Sequence, residues 1–470
     1  MKWLLRAVLG TVLLAVVAYG VLLLVNLKDE ELSPAAKSFA EAAKRSVPAG
    51  QNGYFAMLGL RAPEGADPHA DGSERFARSA AEIRSGNLSL QEPDDRLPKP
   101  EAELLCDRRS SCLDKVRGNR AAIEFQLAKH ETLRLRIRDL SRYPRFEIPR
   151  LPYHPLAALP IADIATVWAL GRTESAHAWV SGRHGEAVAL CSERVGVARR
   201  MLREANDTLG IILAAVWLQN EYLLLSEFLR DDPAAARTRF QAIEALLRPL
   251  ADDEVRVSRW VHGEFAVALD AHRAFSALAA QRRASLGPIL LGPDAYFDTD
   301  YFQKNTPRWF DAAVRLLSPF FQPNATSNHN LAQYAALATT VGGGPKAVSE
   351  MLARRPEPGR GREWSAYNPV GVALGAPAMG DYVLRLHDTD RFLRLVSIQG
   401  ALVKARVPAD GVEAFLASHD GAVDPVTGQR IVWDPAQSRL QLDVLDSRSA
   451  GMSNRRIGDV DGKISVVYRP

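Results

Sequence analysis

An uncharged apolar segment near the start of the chain limits what the protein can fold into more than any other feature. The segment runs from Ala7 to Val25 without a charged residue, and Lys2 and Arg6 precede it. As a helix rising 1.5 Å per residue, it is about 30 Å long, which matches the hydrocarbon thickness of a bilayer. We therefore expect residues 1–27 to be a transmembrane anchor that contacts the membrane through residues 7–25.

A cleaved signal peptide is the competing interpretation of this segment. Ala18 offers a small residue at which cleavage can occur, but the apolar run continues to Val25, beyond the usual length of a signal peptide's hydrophobic part. The sequence therefore favours an uncleaved anchor. The counts of Lys and Arg on the two sides are nearly equal, but a short basic start before a long apolar run normally sends the following chain across the membrane. We expect a single-pass protein of the bacterial inner membrane with most of the chain in the periplasm.

The rest of the chain has the composition of a folded protein. Of its 470 residues, 47% are hydrophobic and 24% are charged, which is typical of globular domains. The formal net charge is only +4, so no excess of positive charge indicates a nucleic acid as a partner. Arg is much more frequent than Lys and Ala is abundant, a bias typical of GC-rich bacterial genomes.

Residues 28–150 are predicted to form an N-terminal periplasmic region. Within it, the apolar segment Tyr54–Leu60 fits either a strand or a short buried helix. Asp71-Gly72 is a turn signal, and the pattern from Asn119 to Ser141 predicts one helix that ends before Pro144. Several prolines in residues 144–160 then predict an extended connection and a domain boundary.

Residues 151–340 are predicted to form a helical domain, because start signals recur at regular intervals along them. Apolar residues surround most of the third helix, from Leu209 to Leu224, so we expect that helix to be central. Short connections between successive helices indicate stacked helical hairpins, as in a solenoid. The start signals are Asp163, Gly182, Asn206-Asp207, Asp232 and Asp252-Asp253.

Residues 341–380 are rich in Gly and Pro, and Gly342–Lys346 within them is predicted to be a linker. We expect this connection to separate residues 381–470 from the helical domain. In that last part the pattern predicts a helix from Asp381 to Arg406, with Leu393 and Val396 facing inward and with Arg391 and Arg394 in solvent.

A change from helical to alternating periodicity marks the end of the chain. Asp424–Gly428 has the composition of a turn, and Asp461-Gly462 is a second turn signal. The apolar segments beside them predict a small antiparallel sheet packed on the preceding helix. Their bounds are Ile431–Trp433, Leu440–Val444 and Ile464–Tyr468. The fold class is therefore mainly α, with a small C-terminal α+β element.

Three cysteines allow at most one intramolecular disulfide. Cys106 and Cys112 enclose a short polar loop, and a bridge between them fits an oxidising periplasm. The alternative, a zinc site, needs a second pair of ligands at suitable spacing, which the sequence lacks. Cys191 lies in a helical pattern and is expected to be a small buried hydrophobic residue.

The densest basic cluster lies between residues 134 and 150. Such a cluster can contact lipid headgroups or an acidic envelope polymer. An exposed face neutralised by Glu131, Asp139 and Glu147 is the alternative, and the sequence favours it. The members of the cluster are Arg134, Arg136, Arg138, Arg142, Arg145 and Arg150.

No recognisable catalytic, cofactor-binding or metal-binding motif is present in the sequence. His262 and Glu264 lack the spacing of a zinc-hydrolase motif, and Gly342–Lys346 lacks the Gly-Lys-Ser/Thr ending of a phosphate-binding loop. We therefore assign no catalytic, cofactor or metal residue. The leading hypothesis is a membrane-anchored scaffold or interaction protein with a protein partner in the envelope. The alternative is a hydrolase that acts on an envelope substrate through a site without a known motif.

Two resemblances support this compartment. The Asp424–Gly428 turn, followed by alternating apolar residues, resembles the Asp-Pro-x-Thr-Gly region of pseudopilin-like envelope proteins. The anchor and the helical middle, together with Phe321–Thr326 and Asn368–Gly371, resemble a family of single-pass, mostly helical envelope proteins of proteobacteria. The resemblance implies the compartment and the layout, and it implies no activity, cofactor or catalytic residue.

Overall fold

The computed structural model describes residues 2–44, 47–85, 96–107, 110–149, 161–280, 316–354, 365–374, 379–445 and 463–469. The fold is mainly helical, with an apolar N-terminal helix and a small antiparallel sheet at the C-terminus, which confirms the predicted fold class. Arg150, Asp461-Gly462 and most of the predicted proline-rich connection lie outside the described residues.

The helices are α1 Lys2–Val25, α2 Pro34–Glu41, α3 Gly53–Leu58, α4 Pro68–Ser85, α5 Cys112–Gly118, α6 Arg120–Lys129, α7 Glu131–Asp139, α8 Ile161–Val180, α9 His184–Glu204, α10 Thr208–Asp231, α11 Pro233–Thr238, α12 Phe240–Leu246, α13 Asp252–Val255, α14 Arg259–Ala280, α15 Pro323–Ala353, α16 Pro369–Leu374, α17 Gly380–Ala405 and α18 Val412–Ser418. The strands are β1 Val432–Asp434, β2 Arg439–Asp443 and β3 Lys463–Val467, and β2 pairs with both others in antiparallel register.

Short polar side chains begin several of the helices, as predicted for Asp207 and Asp232. The side chain of Ser33 accepts a hydrogen bond from the backbone of α2, and Pro34 follows it as the first helical residue. Asp207 caps α10 and Asp232 caps α11 in the same way. These acceptors satisfy backbone N–H groups that have no partner within their own helix.

The central position predicted for the third helix of the middle region is confirmed in α10. This helix contacts α8, α9, α14, α17 and β3. Trp217 stacks on Trp168 of α8 with ring centroids 4.1 Å apart, and Phe228 stacks on Trp179 at 4.2 Å. Like α1, α10 is long and apolar enough to cross a membrane, but 83% of its most apolar 18 residues are buried inside the protein. It is therefore the core helix of the body.

Buried ion pairs join the helices around α10. Arg194 of α9 binds both carboxylate oxygens of Glu221 of α10 at 2.9 Å. Arg199, also on α9, binds Glu254 of α13 at 2.9 Å, and Arg203 binds the same carboxylate at 2.8 Å. Because a buried charge without a partner is very costly, these pairs fix how the helices are placed relative to one another.

The structure settles the open question at Tyr54–Leu60 in favour of a helix, α3, and it corrects the turn predicted at Asp71-Gly72. Both residues lie inside α4. A side chain at Gly72 would place its Cβ 1.8 Å from the carbonyl oxygen of Phe55, and one at Gly59 would collide with Pro68. Gly72 is needed because α3 and α4 cross in close contact, where a larger residue does not fit. In the sequence, a glycine at such a crossing looks the same as a glycine in a turn.

The single helix predicted from Asn119 to Ser141 is instead three elements, α6, α7 and a short 3₁₀ turn at Leu140–Arg142. The backbone leaves the helical conformation at His130, whose φ is −110° and ψ is 32°. An unbroken helix of this length is about 34 Å long and straight, whereas the separate pieces α6 and α7 both pack against α8.

The stretch Gly342–Lys346, predicted to be a linker, lies within α15. The helix is interrupted by a kink there, because Gly344 has a non-helical backbone, with φ 66° and ψ −154°, and Pro345 follows it, so two helical pieces meet at this stretch. A side chain at Gly344 would also collide with Arg256. The C-terminal piece is not separated from the helical body, since α17 packs on α10 and both belong to one hydrophobic core.

The helix α17 lies between the C-terminal sheet and the helical body. Leu393 and Val396 are fully buried, as predicted, and Gln399 donates hydrogen bonds to the carbonyl oxygens of both Ser226 in α10 and Val467 in β3. The prediction that Arg391 reaches solvent is wrong. Because neighbours cover α17 on both sides, this side chain is only 1% exposed.

Two carboxylates neutralise the buried Arg391. Its guanidinium binds Asp388 at 2.7 Å and Asp424 at 3.1 Å. Asp424 also accepts hydrogen bonds from the backbone of Val426 and Thr427, so the residue that begins the predicted turn also ties that turn to α17. Burial raises the pKa of Asp388 to about 6, although the neighbouring Arg391 lowers it.

We predict that Arg391→Ala destabilises the protein by about 3–5 kcal/mol, because it leaves two buried carboxylates without a neutralising positive charge. Arg394→Ala is the matched control on the same helix, since Arg394 also binds an aspartate, Asp390 at 2.9 Å, but is partly exposed. That control should cost at most about 1 kcal/mol. Thermal unfolding of the full chain in detergent measures both. Equal losses of stability in the two variants would show that the buried ion pairs of Arg391 contribute no more than a partly exposed pair does.

Candidate functional site

Asn26 follows α1 directly, and its side chain is buried against the body of the protein. Its Nδ2 donates to the carbonyl oxygens of Leu22 and Ala366 at 2.8 Å, and its Oδ1 accepts from the backbone N–H of Asn368 at 2.7 Å. Gln322 donates its side-chain amide to the carbonyl oxygen of Asn26 at 2.6 Å. One asparagine therefore joins the end of α1 to two distant parts of the chain.

The residues that follow Asn26 bind the first turn of α15. The carboxylate of Asp29 accepts from the backbone N–H groups of Asn324 and Ala325 at 2.8 and 3.2 Å. Asp29 thus caps a helix that begins almost three hundred residues later, where a negative charge is also favoured by the helix dipole. Asn328 accepts from the backbone N–H of Ser33 at 2.9 Å and extends the contact by one further turn.

Asn368 completes this site, because its side chain joins α15 to α16. Its Oδ1 accepts from the backbone N–H of Gln322 at 2.9 Å, and its Nδ2 donates to the hydroxyl of Thr326 at 2.9 Å. The residue has φ 53°, a left-handed conformation that asparagine tolerates better than most residues. A side chain at Gly371 would collide with Thr326. We call the set Asn26, Asp29, Gln322, Asn324, Asn328 and Asn368 the junction.

The junction brings together three segments that the sequence keeps apart. Two of them, Phe321–Thr326 and Asn368–Gly371, are the segments on which the family resemblance rests. The third, Asn26–Ser33, was not singled out in the sequence. An asparagine directly after an apolar run is the one local signal for it, but its partners lie more than two hundred and ninety residues away.

The body also contacts α1 on the N-terminal side of the junction, along one face of the last two turns of the helix. Tyr19, Leu22 and Leu23 are half-buried, whereas Val21 and Leu24 are exposed. These half-buried positions and Asn26 recur at helical spacing. The hydroxyl of Tyr19 donates to the carbonyl oxygen of Leu316 at 3.3 Å, and its ring meets the edge of Phe320 with centroids 5.2 Å apart.

A pair of buried carboxylates, Asp207 and Glu264, is the strongest candidate for acid–base chemistry. Burial, together with the negative charge of Glu264, raises the pKa of Asp207 to about 7. Burial also raises the pKa of Glu264. Such a pair can hold a proton near neutral pH.

Both carboxylates are nevertheless used by the backbone of α10. Asp207 accepts from the N–H of Gly210 at 2.7 Å, and Glu264 accepts from the N–H of Thr208 at 2.6 Å. A small cavity beside them is lined mainly by apolar side chains. Its lining residues are Tyr54, Met57, Phe146, Ile148, Met201, Ala205, Asn206 and Gly210. The geometry is that of a helix cap shared between α10 and α14.

Most arginines of the predicted basic cluster have partners inside the protein. Arg134 and Arg138 bind Glu174 of α8, and Arg145 binds Glu204. Arg142 pairs with Asp139, but its side chain is 77% exposed. Contact with an anionic surface stays a prediction, and Arg142 is the member best placed for it. Arg136 is buried and donates to four backbone carbonyl oxygens, those of Leu60, Ala62, Pro63 and Ala66.

The structure joins Cys106 and Cys112 by a disulfide, with their Cα atoms 5.0 Å apart. The bridge lies at the start of α5, where the backbone N–H of Cys112 donates to Glu227 at 3.1 Å. Cys191 is free and buried, and burial raises the pKa of its thiol to about 12. Among the described residues, no group of three or more His, Cys, Asp or Glu side chains is placed to hold a metal ion.

We predict that Asp207→Asn stabilises the protein at about pH 8 and has less effect at about pH 5. A pKa raised from about 4 to about 7 means that the parent protein loses stability as the pH rises through that window, by roughly 1.4 kcal/mol per unit of pKa shift. The amide keeps the acceptor for Gly210 but carries no charge. Thermal unfolding at both pH values measures the difference.

The matched control for this experiment is Asp232→Asn. Asp232 caps α11 by accepting from the backbone N–H of Ala235 at 2.9 Å, and it is only half-buried. This variant reports what the exchange of a carboxylate for an amide does to capping alone. If Asp207→Asn were less stable than the parent at both pH values, the charge of Asp207 would have to stabilise the fold, contrary to the burial argument.

Comparison of the chain with known protein families, with characterised proteins and with solved structures found no match. No relative therefore assigns an activity to the junction, to the buried carboxylate pair or to the basic cluster. The resemblance to proteobacterial envelope proteins stays a proposal that rests on the residues quoted for it. What the structure adds is that Phe321–Thr326 and Asn368–Gly371, far apart in sequence, form one site with the end of the apolar helix.

Proposed function

We propose that the protein is a membrane-anchored scaffold of the bacterial envelope, with α1 in the inner membrane and the helical body in the periplasm. The observation that carries this proposal is the junction. It uses buried and partly buried hydrogen bonds to hold the first residues after α1 against α15 and α16. A flexible tether needs no such contacts, whereas a scaffold gains from a body held at a fixed position above the membrane.

The junction also supports an anchor that is kept rather than cleaved. Cleavage after Ala18 removes most of α1 but leaves a short apolar helix that begins at Tyr19 and is held by Asn26. Val21 and Leu24 in that piece are exposed, and their exposure to water is unfavourable. In lipid the same side chains are in a suitable solvent, so the folded body is compatible with an intact α1.

A scaffold fits the body better than the hydrolase alternative does. Asp207 and Glu264, whose carboxyl pKa values are raised, each bind a backbone N–H of α10, and the cavity beside them is mainly apolar. The stacked helices offer broad outer surfaces instead. The partner is expected to be another envelope protein, and the interaction needs no cofactor.

The compartment can be tested with the full chain. A reporter active only in the periplasm should work when it is fused after Pro470, and the fusion should stay in the membrane after alkaline extraction. In the native, unreduced protein, alkylation should leave Cys106 and Cys112 unmodified and should reach Cys191 only after unfolding. Activity of a cytoplasm-only reporter at the same position, together with ready labelling of Cys106 and Cys112, would place the body on the other side.

The scaffold and the hydrolase make different predictions for Asp207→Asn and Glu264→Gln, which preserve the backbone acceptors. We expect crosslinking in intact membranes to capture the same envelope protein with the parent chain and with both variants. We also expect purified parent and variants to be indistinguishable on ester, peptide and peptidoglycan substrates. Hydrolysis by the parent that both variants lose would establish the enzyme and overturn the scaffold as the main function.

A further inference from the structure

Exposed apolar side chains of the body lie at the same end of α1 as the junction. Leu316 is 57% exposed and Leu317 is 48% exposed, and both belong to the segment that contacts Tyr19. Leu27, where the chain leaves α1, is 75% exposed. Pro319 in the same segment is exposed as well. Single exposed leucines are common on proteins, but here they continue a helix whose own side chains are exposed and apolar.

The contact between Tyr19 and Leu316 gives the depth of this segment relative to α1. Tyr19 precedes Val25, the end of the uncharged run, by six residues. At 1.5 Å per residue, the contact therefore lies about 9 Å before the end of the run. With the run spanning the hydrocarbon layer, the contact lies about 9 Å inside that layer, among the acyl chains of one leaflet.

The hydrogen bond itself fits such an environment. Inside lipid, a backbone carbonyl oxygen without a partner costs several kcal/mol, because no water is present to bind it. The carbonyl oxygen of Leu316 accepts from the hydroxyl of Tyr19, and the carbonyl oxygen of Ser318 accepts from the backbone N–H of Phe321. Phe320 and Phe321 point inward and are buried, which leaves the leucines on the outer side.

We propose that Leu27, Leu316 and Leu317 form a lipid-contacting surface of the body, which enters the outer leaflet beside α1, with Leu316 and Leu317 among the acyl chains. This inference rests on the proposed function, since it requires α1 to span the bilayer. The occupant of the surface is lipid, because the surface is continuous with the exposed apolar face of α1 through the Tyr19 contact. The body is then held at the membrane by two contacts, α1 and this surface, rather than by one.

The test uses the full chain in liposomes that contain lipids with a quencher either near the headgroup or near the end of the acyl chain. A polarity-sensitive fluorophore is attached to Leu317→Cys. The native cysteines do not compete, because Cys191 is buried and the other two form the disulfide. We expect a blue-shifted emission that is lost mainly to the quencher near the end of the acyl chain.

Two further labelled variants make the outcomes distinct. Leu24→Cys replaces an exposed side chain of α1, and its label reports whether α1 is in the bilayer at all. Val432→Cys is an exposed apolar position on the C-terminal sheet and reports the signal of a residue in water. Quenching at positions 24 and 317 but not at 432 supports the proposal.

Quenching at Leu24→Cys with none at Leu317→Cys would overturn the lipid-contacting surface and leave the anchor intact. The leucines would then be covered by another segment of the chain or by a partner. Absence of quenching at Leu24→Cys would overturn the anchor itself, and with it both proposals. Quenching at all three positions would show that the body lies flat on the membrane, which also contradicts a surface limited to the end of α1.

Discussion

The side chain of Asn26 is the point on which the arrangement of the whole chain depends. It is the residue at which the apolar helix ends, and its amide binds backbone groups of residues 366 and 368 on one side and of its own helix on the other. A buried amide satisfied by backbone groups is specific in direction, because both its donor and its acceptor must find partners. The direction of α1 relative to the body is therefore fixed by hydrogen bonds rather than by a flexible connection.

Local features of the fold could be predicted from the sequence. Asp207, Asp232 and Ser33 each begin a helix with a side chain that accepts a bond from the next turn, and such caps need only neighbouring residues. The C-terminal strands were predicted from their alternation, and the structure pairs Trp433 with Leu440 and Leu440 with Val466. In each case the information lies within a few positions along the chain.

The junction and the buried arginines could not be predicted in this way, because their partners are far away in sequence. Arg391 has the spacing of a solvent-facing residue on α17, and only the position of Asp424 in a later turn makes its burial favourable. Asp29 resembles a surface residue after an apolar run until α15 is placed beside it. Glycine is ambiguous for a related reason, since Gly72 serves a close helix crossing that no local pattern distinguishes from a turn.

The two most apolar helices, α1 and α10, show why composition alone does not place a segment in lipid. Each has 24 residues, and both are apolar enough to span a bilayer. What separates them is a short polar stretch in α10, where Gln219 donates to Thr389 at 2.7 Å and Glu221 binds Arg194. These groups find partners only inside the protein, so α10 must be enclosed by other helices. Among the described residues, the polar contacts between α1 and the body are confined to its last two turns and to Asn26, and the exposed surface before them is apolar.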